Sequence, residues 1–346
     1  MALTKPIKRL IKAGAKKGTT WGTAVTLTST DGLLLLSDGL KTTAREFFYP
    51  KEIGQILPRT QIAGIEDPPE FSPSAILHYD FGAALGLLFA ALFGSDTVSG
   101  SQAPYTHKLV WQNDIIGKFL TFATQRPNSS VWEVPSAKVV GLTISNDGPG
   151  VKVEFKLKPN QVKFSNTTNT NTQLDALTVP DFSRPIRFYA SEAAIYINDM
   201  SGTTVIDPAN KIYPSSLSIT YERSIGGHKV FGQDYIIEPI DIESNTAVKL
   251  TIPAADSKIA LVEKSQSGIP QKMAMVFTGP ELGSGNYALK LYFPCLYLDP
   301  ITDVPDDDII PINISLKGGQ AVSNPSGMTE TVPYIEALNN ESVAYI

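Results

Sequence analysis

Residues 151–159 read VKVEFKLKP. In an extended chain Val151, Val153, Phe155 and Leu157 fall on one side, and Lys152, Glu154, Lys156 and Lys158 on the other, because successive strand side chains point to opposite faces. Unbroken alternation of this kind predicts a strand with one dry face and one wet face. Further strand candidates lie at 105–111, 117–124, 138–145, 186–190, 193–197, 216–222, 247–252, 273–278, 287–293 and 310–316. Turn signals separate them: NDG at 146–148, IGG at 225–227 and GSG at 283–285. Many short strands with such punctuation predict a mainly β protein, an antiparallel sandwich or barrel. Before them, 23–28 and 33–36 read as possible strands, and one helix is predicted over 80–93. Asp80 would cap it, Leu85, Leu88, Phe89 and Leu92 recur at helical spacing, and Gly94 would end it. Residues 5–17 read as a short basic amphipathic helix, with Ile7, Leu10 and Ile11 against Lys8, Arg9, Lys12 and Lys16.

Composition excludes several classes. The chain has 346 residues, 42% hydrophobic and 18% charged, enough apolar content to bury a sizeable core. A net charge of −5 argues against a protein that grips nucleic acid over its whole surface. The single cysteine, Cys295 in LYFPCLYL, excludes an internal disulfide and a cysteine metal cluster, and reads as a buried small hydrophobe. The most apolar stretch, FGAALGLLFAALFG at 81–94, is too short to cross a bilayer as a helix, which needs about 20 apolar residues. The first residues are basic but lack an apolar core of signal-peptide length. No membrane partner is expected.

The polar tract NQVKFSNTTNTNTQLDALT at 160–178 reads as a long exposed loop or a linker. It organises the chain into a basic N-terminal arm (1–20), a β domain (21–178), and a second β domain or a continuation of the same sandwich with an acidic C-terminal segment (179–346). AKVVGLTISNDGPGVKVEFKL at 137–157 shares a strand–Gly turn–strand pattern with SSLSITYERSIGGHKVFGQDY at 215–235, so a duplicated chain is one option.

Signs of chemistry are sparse. His78, His107 and His228 have no base or ligand partner at a recognised spacing and read as structural or exposed. No nucleophile elbow, zinc helix, phosphate loop or dinucleotide fingerprint is present. The run TDVPDDD (Asp303, Asp306, Asp307, Asp308) lacks the spaced order of a calcium loop and reads as a solvated loop. Asn-x-Ser/Thr triplets at Asn128, Asn166 and Asn313 would matter only in a glycosylating pathway. The expected catalytic, cofactor and metal residues are therefore none, and the chain is not expected to be an enzyme. Residues 1–60 carry mostly bases and residues from 299 onward mostly acids. Ends of opposite sign suit head-to-tail assembly, with the basic arm docking on a neighbouring subunit.

Taken in order, HYDFGAALGLLFAALFGS (78–95), APYTHKLVW (103–111) with FLTFATQRP after it, and VPSAKVVGLTISNDGPGVKVEFKLKP (134–159) resemble the tail tube (major tail) proteins of long-tailed bacteriophages. TTWGTAV at 19–25 and SSLSITYERSIGGHKVFG at 215–232 are similar to the start and the second half of that family. The resemblance is dense only over 78–158. It implies an antiparallel β-sandwich or barrel with a flanking α-helix, a virion protein assembled in the bacterial host cytoplasm. Subunits would form hexameric rings, or trimeric rings if the chain is duplicated. The rings would stack into a hollow tube through which genomic DNA passes without specific binding. Further implied partners are the tape measure, terminator and baseplate proteins. The lysines of 151–158 are then expected not to line an unmasked lumen. Two other classes stay open: another structural or adhesive β-sandwich (capsid decoration, fibre or carbohydrate-binding module), and an enzyme on a β scaffold.

Overall fold

The computed structural model describes the chain except residues 1–11, 42–46, 51–56, 58, 59, 65, 127–129, 180–182, 190, 228, 229, 231, 233, 253–256 and 302–311. It is mainly β. The strands are β1 (Ala13–Lys17), β2 (Gly32–Leu33), β3 (Phe47–Phe48), β4 (Ile62–Ala63), β5 (Ser74–Ile76), β6 (Thr97–Ser99), β7 (Tyr105–Val110), β8 (Leu120–Gln125), β9 (Val131–Asp147), β10 (Gly150–Pro159), β11 (Ala193–Asp199), β12 (Lys211–Ile212), β13 (Ser216–Gly226), β14 (Ile240–Ile252), β15 (Gln271–Leu282), β16 (Gly285–Leu298), β17 (Ile312–Gly319) and β18 (Tyr334–Asn339). The helices are α1 (Gly82–Phe93), α2 (Asn171–Asp175) and α3 (Ser257–Ser267).

All strands except β3 and β4 join one sheet whose ladders are antiparallel, in the order β12-β11-β15-β16-β17-β14-β13-β9-β8-β1-β2. Two long strands change partners and so fold this sheet around a core. β9 pairs with β8 along 131–137 and with β13 along 141–145, while β10 follows it from 137 to 147. β16 pairs with β15, then with β18 along 288–292 and with β17 along 295–298. Strands from the two halves of the chain therefore pair directly, β13 with β9 and β18 with β7.

The alternation of β10 is realised as read: Val151, Val153, Phe155 and Leu157 are buried, and the residues between them face outward. The turn at 146–148 is a tight hairpin, with Asp147 paired to Gly150 and Gly148 at φ 56°. The GSG signal likewise closes β15 onto β16, but the IGG signal opens a long connection to β14 rather than a tight turn. For that reason 215–235 does not repeat the hairpin of 137–157. The candidate at 186–190 contributes only isolated bridges, and 23–28 is not a strand.

Helix α1 packs against β1, β2, β7 and β9. Its Phe89 stacks on Phe81 (5.1 Å) and meets Phe155 edge-on (5.0 Å). It has no polar side: eleven of its residues are buried, on every side. Gly94 ends it in the left-handed region (φ 87°), its N–H donating to the Ala90 carbonyl at 2.8 Å. Asp80 is not the cap: Phe81 holds that position, without a side-chain cap bond. The other departures have clear causes. Ala13–Lys17 is a strand on β8 and not the end of a basic helix, because Ala13 and Ala15 are small enough to lie beneath α1. The 160–178 tract is docked rather than a free loop. Buried Glu133 accepts the Asn169 N–H (2.7 Å), the Asn169 side-chain amide (2.8 Å) and the Thr168 N–H (3.1 Å). Leu174 and Leu177 close the tract over Leu27, Ala123 and Val131.

Two stability predictions follow from this packing. Glu133→Ala leaves three donors unpaired and should cost about 2–4 kcal/mol, with faster proteolysis confined first to 160–178. Tyr221 is fully buried between Phe93, Trp111 and Phe293, and its hydroxyl has no partner among the described residues. Tyr221→Phe should therefore raise stability by about 1 kcal/mol in calorimetry; a loss of similar size would show that the hydroxyl is satisfied.

Candidate functional site

Five strands, β10, β9, β13, β14 and β17, present one outward face. Their registers place polar residues in straight rows. One row is Lys152, Ser145, Ser218, Lys249 and Ser315; the next is Glu154, Thr143, Thr220, Ala247 and Lys317; a third is Lys156, Gly141, Glu222 and Asn245. The centre of the face is thus short and hydroxyl-bearing, while Ile144, Leu217, Ile219, Val248 and Leu250 point into the core. All of its lysines but Lys249 have acids beside them among the described residues. Lys156 lies 2.9 Å from Glu70, Lys158 2.7 Å from Asp67, Lys152 3.6 Å from Glu154 and Lys317 3.0 Å from Asp299. Exposed pairs of this kind add little stability, about 0–1 kcal/mol each. What they do is leave the lysine-bearing face close to neutral.

The apolar surface lies elsewhere. β3 and β4 form a separate two-stranded hairpin, Phe47 opposite Ala63 and Phe48 opposite Ile62, that joins no other strand among the described residues. Phe47, Phe48, Tyr49, Leu57 and Ile62 are exposed on it, Phe48 by 66% and Leu57 by 74%. Sequence reading missed this hairpin, although the run FFYP at 47–50 was a cue to an aromatic strand end. A second apolar feature is a cleft of about 340 Å³ beside β11 and β12, walled by Phe188, Tyr189, Ile212, Tyr213 and Phe277.

Residues that could have carried chemistry are not brought together. Among the described residues no group of three His, Cys, Asp or Glu side chains could hold a metal ion. Cys295 is buried, and burial pushes its thiol pKa up. His228, Asn128 and Asp303–Asp308 lie outside the described residues. Asn166 and Asn313 are exposed. Trp111 is covered by the Arg223 guanidinium at 3.8 Å and Trp132 by Arg126 at 3.9 Å, so the tryptophans form no common flat face. His78 and His107 are buried. The His107 Nδ1–H donates to Asp96 (3.0 Å) and Nε2–H to the Glu341 carbonyl (2.8 Å), and the ring stacks on Tyr345 at 4.2 Å. Asp96 also accepts the Tyr345 N–H (2.8 Å), so this pair ties the chain end to the body. Burial opposes the imidazolium, but the bonds to Asp96 and Glu341 outweigh it and raise the His107 pKa.

Comparison with protein-family models gives no match, and comparison with curated proteins gives none.

The raised pKa fixes a pH dependence. The His107 contribution is fully present below its ordinary value of 6.5 and is lost as pH rises through the higher folded value. Asp96→Asn should therefore destabilise most at pH about 5–6, and the gap from wild type should shrink on the alkaline side. Thermal midpoints of both proteins across that range are the check; a constant gap would mean that His107 is neutral throughout.

Proposed function

We propose that this chain is a structural subunit that assembles with copies of itself into stacked rings, forming the hollow tail tube of a long-tailed bacteriophage through which DNA passes to the host. The observation that carries the reading is the β3–β4 hairpin. An isolated two-stranded hairpin is marginal in water. This one pairs with no further strand among the described residues and still exposes Phe47, Phe48, Tyr49, Leu57 and Ile62. Clustered exposed apolar groups on a detached element mark a surface meant to be covered. The sequence resemblance supports a tube as the product. The largely hydroxyl-bearing face suits a lumen, since free lysines would release counterions from DNA and retain it, whereas all but Lys249 of its lysines are already set against Asp67, Glu70, Glu154 or Asp299 and offer phosphates little. On this reading the protein belongs to the virion, forms rings of six or, if duplicated, three, meets the tape measure, terminator and baseplate proteins, and works by shape without a reactive pocket.

One observation favours a second reading, an adhesive sandwich: Tyr189 and Tyr213 stand 61% and 71% exposed at the mouth of the β11–β12 cleft. Saccharide binding by the monomer, abolished by Tyr213→Ala, would support it.

The tube reading is tested by electron microscopy of concentrated protein. Wild type should give rings or tubes of regular spacing. Phe47→Ser with Phe48→Ser should remain monomeric at an unchanged thermal midpoint, because neither side chain belongs to the core. Wild-type protein that stays monomeric at high concentration would count against assembly altogether.

A further inference from the structure

β14 is paired by β13 from Ile240 to Thr251, with a register shift that leaves Ile242 out of the ladder, but only half of its other edge is covered. β17 follows it from Ala247 to Ile252 and then parts from it at Gly318, which lies against Thr246. Along Ile240–Thr246 the outer row of backbone N–H and C=O groups has no ladder partner among the described residues. The outer edge of β10, at the far side of the same face, is treated differently. Phe71 and Leu157 exchange backbone bonds of 3.0 and 2.9 Å, Phe155 N–H donates to Pro73, and β5 pairs with 152–154. An open edge next to a covered one is a place for an added strand.

The side chains at this edge select the strand. Ile240 and Ile242 are exposed, Ile242 by 70%. Beside them runs a cleft of about 380 Å³ lined by Glu70, Lys156, Glu222, Arg223, Glu243 and Asn245. Lys156 is occupied by Glu70 and Arg223 by Asp241, which leaves Glu222 and Glu243 with no ion-pair partner among the described residues. The edge therefore asks for a segment that is basic, partly apolar and free of acids. Residues 1–11, MALTKPIKRLI, have Lys5, Lys8 and Arg9, apolar Leu3, Ile7, Leu10 and Ile11, and no acid, and they lead directly into a strand, β1.

We propose that Ile240–Thr246 of one molecule takes residues 1–11 of a neighbouring copy as an added strand, with Lys5 and Arg9, which alternation puts on one face with Ile7, set against Glu222 and Glu243. The proposal rests on the reading that copies of the chain assemble. Reach favours the neighbour over the same molecule. Eleven extended residues span about 36 Å, and lying along the seven-residue edge takes about 24 Å. Within one molecule the segment would first have to cross β8, β9, β13 and β14, a distance of about 24 Å at ordinary strand spacing. What is left is too short for the edge.

The test uses two full-length chains, each with the buried Cys295 replaced by Ala, one carrying Ile7→Cys and the other Ile242→Cys. Mixed at assembling concentration and oxidised, they should form the mixed disulfide dimer, at least about tenfold above a control pair of Ile7→Cys with Tyr213→Cys. Glu222→Lys with Glu243→Lys, or high salt, should reduce the yield about tenfold, as expected from losing two solvated ion pairs. A yield no higher than the control would overturn the proposal, as would a concentration-independent link when both cysteines sit in one chain. Deletion of residues 2–11 gives an independent readout: rings or tubes forming as readily as in the intact protein would also overturn it. Assembly with no Ile7–Ile242 link rejects this contact alone. Absence of any wild-type assembly rejects the tube reading.

Discussion

A helix without a polar side governs this structure. Leu88, Phe89, Ala90, Ala91, Leu92 and Phe93 are fully buried, so no face of α1 can be left to water. Each large side chain among them contributes about 1.5–3 kcal/mol by leaving solvent, provided that something encloses it. A flat sheet covers only one side of a helix. Enclosure is reached because β9 and β16 are long enough to exchange partners along their length, which turns one antiparallel sheet around the helix. The buried helix end must then find donors within the protein. Arg223 supplies one from β13: its Nε donates to the Leu92 carbonyl and its terminal nitrogen to the Gln112 carbonyl, both at 2.8 Å. The cost of burying that guanidinium is offset by Asp241 at 2.6 Å and by stacking on Trp111.

The same enclosure orders the outside. Once Val153, Leu142, Tyr221 and Thr246 are fixed inward, every intervening residue of four adjacent strands is fixed outward, since a slip of one position would exchange the two faces. Straight rows of Ser, Thr and Lys are the consequence of that register. Pairing finished on the inside leaves strand edges without a partner among the described residues elsewhere: the outer edge of β14 along Ile240–Thr246 and the β3–β4 hairpin. Neither is needed to enclose α1, which is why both can differ in character from the sheet they adjoin.

How much of this could be read from the residues follows from where each constraint lies. β10 was legible because its partners bury one complete side, so composition alternates residue by residue. The mainly β class, the hairpins at 146–148 and 283–285 and the existence of the helix were legible for the same local reasons. The docking of 160–178 was not, because its anchor, Glu133, is distant in sequence and a buried carboxylate looks like any other in a string. β1 was misread because its lysines suggest a helix surface, whereas what matters is the small size of Ala13 and Ala15. β18 went unseen although YIEALN is largely apolar: it is recruited by β16 and β7, and neither neighbour is nearby in the chain. The exposed hairpin and the half-open β14 edge were equally hidden, because an absence of partners is a property of the folded sheet.

Charge links the five-strand face to its margin and to the open edge of β14. With 34 acidic and 29 basic residues, the chain could have kept lysine off the five-strand face altogether. It has placed lysines there and answered all of them but Lys249, from a separate segment, Asp67 and Glu70, and from Glu154 and Asp299. Those pairs are too exposed to account for folding stability. Their effect is to set the potential of the face near zero while keeping it hydrated, and to concentrate the uncompensated acid at its margin, on Glu222 and Glu243. A neutral centre and an acidic rim next to an open strand edge direct opposite behaviours to adjacent places: little hold on a polyanion over the middle, and attraction for a basic segment at the border.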